Sequence, residues 1–444
     1  MKQIKMRLAL LNFLEFAVWG AYLTSLGSYL FKIGMAGDIS LFYAMQGIVS
    51  MFMPAIIGIA ADRWIPAQKM LSICHVIAGV FMLGAGLYAA GCPDGPQFGI
   101  LFSLYSVSVA FFMPTIGLGN SVGYTALDKS GLDAVKHFPP IRVFGTIGFI
   151  CSMLFVNFTG YQNTYAQLIT SGVLSLVMAA YSLTMPACPV NRSNSSTLAE
   201  AFGLKAFSLL KNKQMAVFFI FSMLLGVSLQ ITNGFANPFI QSFGNVERYA
   251  SDWGVANANA LISLSQMSET LCILLIPFFL KRFGIKVVML MSMVAWIFRF
   301  GFFGIGDTGS GVWLLILSMI VYGIAFDFFN VSGSLFVNER TDISIRSSAQ
   351  GLFMLMTNGV GATLGTLGAQ VVIDHYVISR PDGQAQIDGW HTSWLIFAAY
   401  ALVIAVLFFF MFHDKKNSAP TKKALKIDEA EVQNSPEGMI DTKL

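Results

Sequence analysis

Stretches of mostly apolar residues about twenty long, the length at which a helix crosses a bilayer, recur about twelve times in this chain. Hydrocarbon offers no water to backbone N–H and C=O groups, so runs of this kind have to close their hydrogen bonds internally and form helices. Composition fits that constraint. Hydrophobic residues make up 55% of the 444 and charged residues 11%, whereas a soluble domain carries roughly 25% charged residues. The expected fold is an all-α membrane protein with twelve transmembrane helices. Their approximate limits are 7 to 31, 39 to 61, 69 to 91, 97 to 126, 141 to 160, 164 to 186, 214 to 241, 254 to 280, 285 to 305, 311 to 336, 346 to 374 and 391 to 412.

The opening MKQIKMRLALLNFLEF has the look of a signal peptide, but its apolar run continues to Phe31 without a small-residue cleavage site and reads better as the first helix. With that helix starting inside, the inner loops hold Lys2, Lys5, Arg63, Lys69, Lys129, Lys136 and many more bases, while the outer loops hold Lys32, Arg248 and Arg380. This positive-inside bias places both termini in the cytoplasm. The net charge of +4 therefore reflects topology and does not point to nucleic acid. Five cysteines without paired spacing suggest packing residues, with neither a disulfide framework nor a metal site.

A polar run that turns amphipathic, Val190 to Lys213, separates the sixth span from the seventh and reads as a cytoplasmic linker with a surface helix. It divides the chain into an amino-terminal six-helix bundle (1–189), the linker (190–213), a second six-helix bundle (214–412) and a polar, disordered cytoplasmic tail (413–444). The Asn-x-Ser triplets at Asn191 and Asn194 match glycosylation sequons in spelling only, since the loop is expected to face the cytoplasm. The halves echo each other. Asn120-Ser-Val-Gly123 in the fourth span corresponds to Asn330-Val-Ser-Gly333 in the tenth, and Arg142 and Arg346 open the fifth and eleventh. Such repeats suggest the two-half architecture of the major facilitator superfamily, with a substrate site near the midplane. GIAADRW, residues 58 to 64, resembles part of that superfamily's loop motif.

Polar residues inside spans must face the bundle or a wet cavity, and their spacing says where. Gln230, Asn233 and Asn237 form one stripe on the seventh span; Gln266, Glu269 and Thr270 form a patch on the eighth; Tyr322, Phe326 and Asn330 share a face of the tenth, with Asp327 beside it. The fifth span offers Arg142, Thr146 and Phe149, the first Glu15, Trp19 and Tyr22, and the eleventh Gln350, Met354 and Thr357. Amides that donate and accept, carboxylates and aromatic faces together suit a flat, polar, uncharged ligand with hydroxyls and ring nitrogens. The competing reading of any single amide is interhelical glue worth about 0.6 kcal/mol.

The ionisable residues inside the spans are Glu15, Arg142, Glu269, Arg299 and Asp327, three acids against two bases. A charge there costs roughly 2.5 to 3.5 kcal/mol on insertion scales, so it is expected to have a use. Leaving water favours the neutral form of a carboxyl group. At least one of the three acids is therefore expected to take up a proton in one conformation and release it in another, with Asp327, Glu269 and Glu15 as candidates. The alternative for Asp327 is a permanent ion pair. Arg299 lies near an end of the ninth span, where snorkelling to the interface competes with any function.

Long motifs carry a specific resemblance: FPPIRVFGTIGF (138–149), FFIFSMLLGVSLQITNGF (218–235), SLSQMSETL (263–271), RFGIKVVMLMSMVAWIFRF (282–300), MIVYGIAFDFFNVSGS (319–334) and RSSAQGLFMLMTNGVG (346–361). They closely resemble the bacterial nucleoside:proton symporters, the nucleoside and xanthosine permeases of the major facilitator superfamily. The resemblance implies proton-driven import of purine and pyrimidine nucleosides across a bacterial inner membrane, without a cofactor. It implies substrate contacts from Arg142, Thr146, Phe149, Gln230, Asn233, Gln266, Glu269, Tyr322, Phe326 and Asp327. Glu15 in NFLEFAVWGAYL departs from the family's glutamine in the first span and puts a single-carboxylate coupling scheme in question. A major facilitator symporter for another polar solute such as a sugar, or a nutrient sensor that binds without transport, are the competing functions. The sequence shows no nucleophile–base constellation and no GxxxxGK[ST] loop, so neither an enzyme nor an ATP-driven pump is expected.

Overall fold

The computed structural model describes residues 2–190, 204–341 and 345–412. The sequons and most of the expected linker, together with the polar tail, lie outside the described residues. Among those described, the chain is helical with no strand. Before residue 190 it forms α1 (Lys2–Gly20), α2 (Leu26–Lys32), α3 (Ile39–Arg63), α4 (Ala67–Ala90), α5 (Phe98–Lys129), α6 (Ala134–Phe158) and α7 (Ala166–Ser182). A 3₁₀ segment at Leu204–Lys211 leads into α8 (Lys213–Ser242), α9 (Ala258–Phe283), α10 (Ile285–Ile305), α11 (Val312–Arg340), α12 (Arg346–Met354), α13 (Ala362–Ile373) and α14 (Gln384–Met411).

Among the described residues, ten helical segments are long and apolar enough to cross a membrane. The expected sixth span corresponds to α7, which is 17 residues long, and the expected first span is broken between α1 and α2. That break has a local cause. The Leu23 carbonyl accepts from the Tyr43 hydroxyl at 2.5 Å, and Thr24 and Ser25 turn their hydroxyls to Asn259 and Gln167, each at 3.0 Å. A side chain inserted into the backbone ladder in this way interrupts an α-helix. The expected eleventh span is likewise not one α-helix. π-helical turns at Leu355–Gly361 and Asp374–Ile378 flank α13. The helices of the expected fifth and twelfth spans, α6 and α14, start earlier than their apolar runs, at Ala134 and Gln384, because the helix continues into polar sequence that hydropathy does not register.

Within the segment before residue 190, α1 packs on α6 and α7, α4 on α5 and α7, and α3 on α5; after residue 213, α11 packs on α9 and α10, and α14 on α10. The two segments meet where α6 touches α9, where α3 touches α13 and the first π-turn, and where α2 touches α8. Glycines allow the closest of these approaches. A Cβ on Gly27 would collide with the Gly234 carbonyl, and one on Gly47 with the Thr363 hydroxyl. Gly226 meets the Thr357 backbone in the same manner, bringing α8 against the π-turn. Small residues at such crossings let backbones pack directly, which is how helices associate where lipid removes the hydrophobic drive. Large apolar side chains such as Leu274, Val371 and Phe410 point outward, a surface that suits acyl chains rather than water.

Candidate functional site

Arg142 of α6 stands within electrostatic reach of Glu269 of α9, and Glu269 within reach of Asp327 of α11, while α8 and α11 border one cavity. Arg142 sits two turns inside α6, because that helix begins at Ala134. Its guanidinium lies 3.8 Å from the centre of the Phe16 ring, a cation–π contact, and within electrostatic reach of Glu269 on α9 and Glu15 on α1. Thr146, one turn further along α6, is half-buried, and Phe149 is buried with its ring edge-on to Trp19 at 6.3 Å.

On α11 the expected residues share one face. The Tyr322 and Phe326 rings are parallel within 3° at 5.8 Å, and Trp296 meets Tyr322 edge-on at 6.1 Å. Gln266 hydrogen-bonds the Tyr322 hydroxyl. Asp327, one residue past Phe326, is 5% exposed and stands within electrostatic reach of Glu269. Its Oδ2 is buried without a hydrogen-bond partner. An unpaired buried carboxylate oxygen is costly, so this atom is poised for a donor from a ligand or for a proton of its own. A small cavity borders this face, lined by Gly226, Trp296, Phe326, Asn330, Thr357 and Asn358 among others.

The amide stripe of α8 divides. Asn233 donates to Gln230 Oε1 at 2.7 Å, a local pair within α8. Asn237 belongs elsewhere. Its Nδ2 donates to Asn259 Oδ1 at 2.7 Å, and its Oδ1 accepts from Ser28 and from Gln241, both at 2.6 Å. For Asn237 the glue reading wins. Gln350 is also spent away from the site, donating to the Ser334 carbonyl at 2.7 Å and to Asn338 at 3.0 Å.

Two readings of the charges need correction. Arg299 does not snorkel. It is 2% exposed, donates to the Ser318 carbonyl at 2.9 Å and to Ser265 at 3.3 Å, and lies 4.4 Å from the Tyr322 ring centre, where it backs the aromatic stack. Glu15 is not an unmatched acid. His75 of α4 places Nε2 2.8 Å from Glu15 Oε2, and Thr115 of α5 lies 2.5 Å from Oε1. The sequence reading overlooked His75, although a histidine inside an apolar run satisfies the same rule that singled out Glu15.

Also overlooked was the polar seam at the end of the molecule where α2 meets α8 and α6 meets α9. Here Thr24 bonds Asn259 at 3.0 Å, Ser28 bonds Asn237, Asn157 donates to Asn257 at 2.8 Å, and Gln162 donates to the Ala256 carbonyl at 2.7 Å. Gln370 spans the same end from α13, accepting from the Ser40 amide at 3.0 Å and donating to the Ala36 carbonyl at 2.9 Å. Each bond joins a residue before the linker to one after it. Serine, threonine and asparagine close to helix ends are common, which is why spacing alone did not mark them.

A parallel aromatic pair, neighbouring side-chain amides and two carboxylates facing one arginine can hold a polar ring bearing hydroxyls and sense a proton at the same place. The model of the family described as "Nucleoside H+ symporter" matches residues 1–417. The chain is 48% identical to "Xanthosine permease" of Escherichia coli (strain K12) and 45% identical to "Nucleoside permease NupG" of the same organism, in each case over 94% of this chain and 98% of the relative. A crystal structure of nucleoside transporter NupG superposes with a TM-score of 0.83 at 45% identity, covering 93% of this chain and all of that one.

Proposed function

Because the chain belongs to the nucleoside H+ symporter family, we propose that it imports nucleosides, purine and pyrimidine, together with protons by alternating access. The base stacks on Tyr322 and Phe326; Gln230, Asn233 and Gln266 read its edges and the sugar; Arg142, Thr146 and Phe149 close the site from α6. Asp327 and Glu269 carry the coupling, with Glu15 as a third acid. The observation that carries this reading is the unpartnered, buried Asp327 Oδ2 beside a parallel aromatic pair. In the protonated state it donates to the ligand or to a neighbouring acceptor, and in the ionised state it faces Glu269, so proton and substrate bind in each other's interest.

The same proposal covers the architecture. Counting α7 and the broken α1/α2 pair as spans gives twelve, arranged as a six-helix bundle (1–189), a cytoplasmic linker (190–213), a second bundle (214–412) and a cytoplasmic tail (413–444). Internal repetition supports it. Gly123 on α5 lies under the Phe138 ring of the next helix, and Gly333 on α11 lies under the Phe353 ring of the next, so the two Asn-x-x-Gly echoes make the same contact in each half. Both termini face the cytoplasm of a bacterium by the loop charges, and the helices sit in the inner membrane.

The test is uptake by purified protein in liposomes with an imposed pH gradient and a panel of nucleosides and sugars. Concentrative uptake of nucleosides, blocked by Asp327→Asn, is expected. Sugar competition, binding without counterflow, or undiminished pH-driven accumulation by the Asp327→Asn variant would each overturn the reading.

A further inference from the structure

Beyond the acids that face the ligand, the segment before residue 190 holds a second cluster able to carry a labile proton. Glu15 of α1 and His75 of α4 are both buried, and hydroxyls from two further helices complete their bonding. On the histidine side, Ser175 of α7 donates to the His75 carbonyl at 2.9 Å, so its oxygen is left to accept from Nδ1–H at 3.0 Å. Nε2 then shares a proton with Glu15 Oε2 across 2.8 Å. On the glutamate side, Thr115 Oγ1 stands 2.5 Å from Glu15 Oε1 and equally 2.5 Å from the Phe112 carbonyl. A hydroxyl has one hydrogen and cannot donate to both.

That arithmetic gives two complete hydrogen-bond patterns. In the first, Thr115 donates to Oε1, and the Glu15–His75 pair holds one proton and is neutral overall. In the second, a proton taken from water has added to Oε1; the new carboxyl O–H donates to Thr115 Oγ1, and the Thr115 hydroxyl turns to the Phe112 carbonyl. No donor or acceptor is orphaned in either, and no heavy atom has to move. Release reverses the steps and returns the proton to water.

We propose that Glu15, His75 and Thr115 form a proton-loading site distinct from Asp327 and Glu269, with the Thr115 hydroxyl as its switch. The inference rests on the proton-symport reading of the ligand site and extends it to the other half of the molecule. The charged and titratable groups facing the cluster are Cys74, next to His75 on α4, and Arg142 from α6, whose other neighbours are Glu269 and Tyr124; α5 and α7 present the hydroxyls of Thr115 and Ser175. Arg142 thus stands between two carboxylates from opposite segments. Loading the cluster changes the field at Arg142, which Glu269 also faces from α9.

The experiment compares wild type with Glu15→Gln and Thr115→Val in liposomes, reading protons moved per nucleoside, the pH profile of uptake, and the infrared carbonyl band that a carboxyl group gains on protonation. Glu15→Gln is expected to lose part of that band on acidification and to lower the proton count. Thr115→Val, which keeps both titratable groups, is expected to displace the acid limb of the pH profile and keeps the test decisive should Glu15→Gln fail to fold. An unchanged band and proton count in Glu15→Gln, or a Thr115→Val profile superimposable on wild type, overturns the proposal. Failure of the wild type itself to move protons with nucleoside would overturn the symport reading instead, so the two failures are distinguishable.

Discussion

Asn237→Ala tests whether the polar seam sets the conformation. Asn237 is fully buried and makes three side-chain bonds: it accepts from Ser28 across the segments, accepts from Gln241, and holds Asn259, which in turn accepts from Thr24 across the segments. Truncation removes the first crossing bond outright and releases the anchor of the second. At about 0.6 kcal/mol for each such bond inside a membrane protein, the loss is about 1.2 kcal/mol, which corresponds to about an eightfold shift in favour of the state in which this end is open. Spin labels at Tyr161 and Trp253, exposed by 37% and 58% on short helical turns of opposite segments at that end, read the opening as a distance distribution in a background free of native cysteines. Wild type should give one dominant short distance and Asn237→Ala an enlarged long-distance population. A folded variant with the wild-type distribution would refute the reasoning, since the seam would then be decoration on a closure held elsewhere.

Gln230→Ala and Asn233→Ala should each weaken nucleoside binding several-fold by calorimetry, as loss of one neutral hydrogen bond of about 1 kcal/mol does; unchanged affinity in both returns the pair to interhelical glue. Gly148→Ala would drive a methyl group into the Phe13 backbone and part α1 from α6, an overpacking cost of about 1–3 kcal/mol visible as a lowered melting temperature in detergent. Arg299→Met removes the cation behind Tyr322 while retaining bulk; binding of the base should weaken with little change in the proton count, and a variant that binds normally would show the stack to be self-supporting.

Most of the helices were legible because a span announces itself by length and apolarity. What hydropathy could not register were the interruptions, at residues 21–25 and in the π-turns, which depend on side chains from other helices, as Tyr43 shows at the Leu23 carbonyl. The aromatic face of α11 was legible because 3.6-residue spacing fixes which residues share a side, and Tyr322, Phe326 and Asn330 do, with Asp327 beside them. Spacing fails across helices. It joined Asn237 to a stripe that the structure divides, and it counted Glu15 as surplus because nothing in one helix's pattern names a histidine sixty residues away. For Arg299 the sequence left snorkelling and function both open, because distance from a helix end says little about depth when the neighbouring helices run past it.

The seam that closes one end of the molecule is built from amides, hydroxyls and backbone groups, with no ionised member in its crossing bonds. Groups of this kind do not titrate in the range a bacterium meets, and a neutral bond is not weakened by the ionic screening that governs charged pairs. Brackish or acidic surroundings therefore leave the latch as strong as fresh, neutral ones do. The crossing bonds of the seam are thus independent of acid and salt, although Gln370 also donates to Asp374 within its own segment at 2.7 Å.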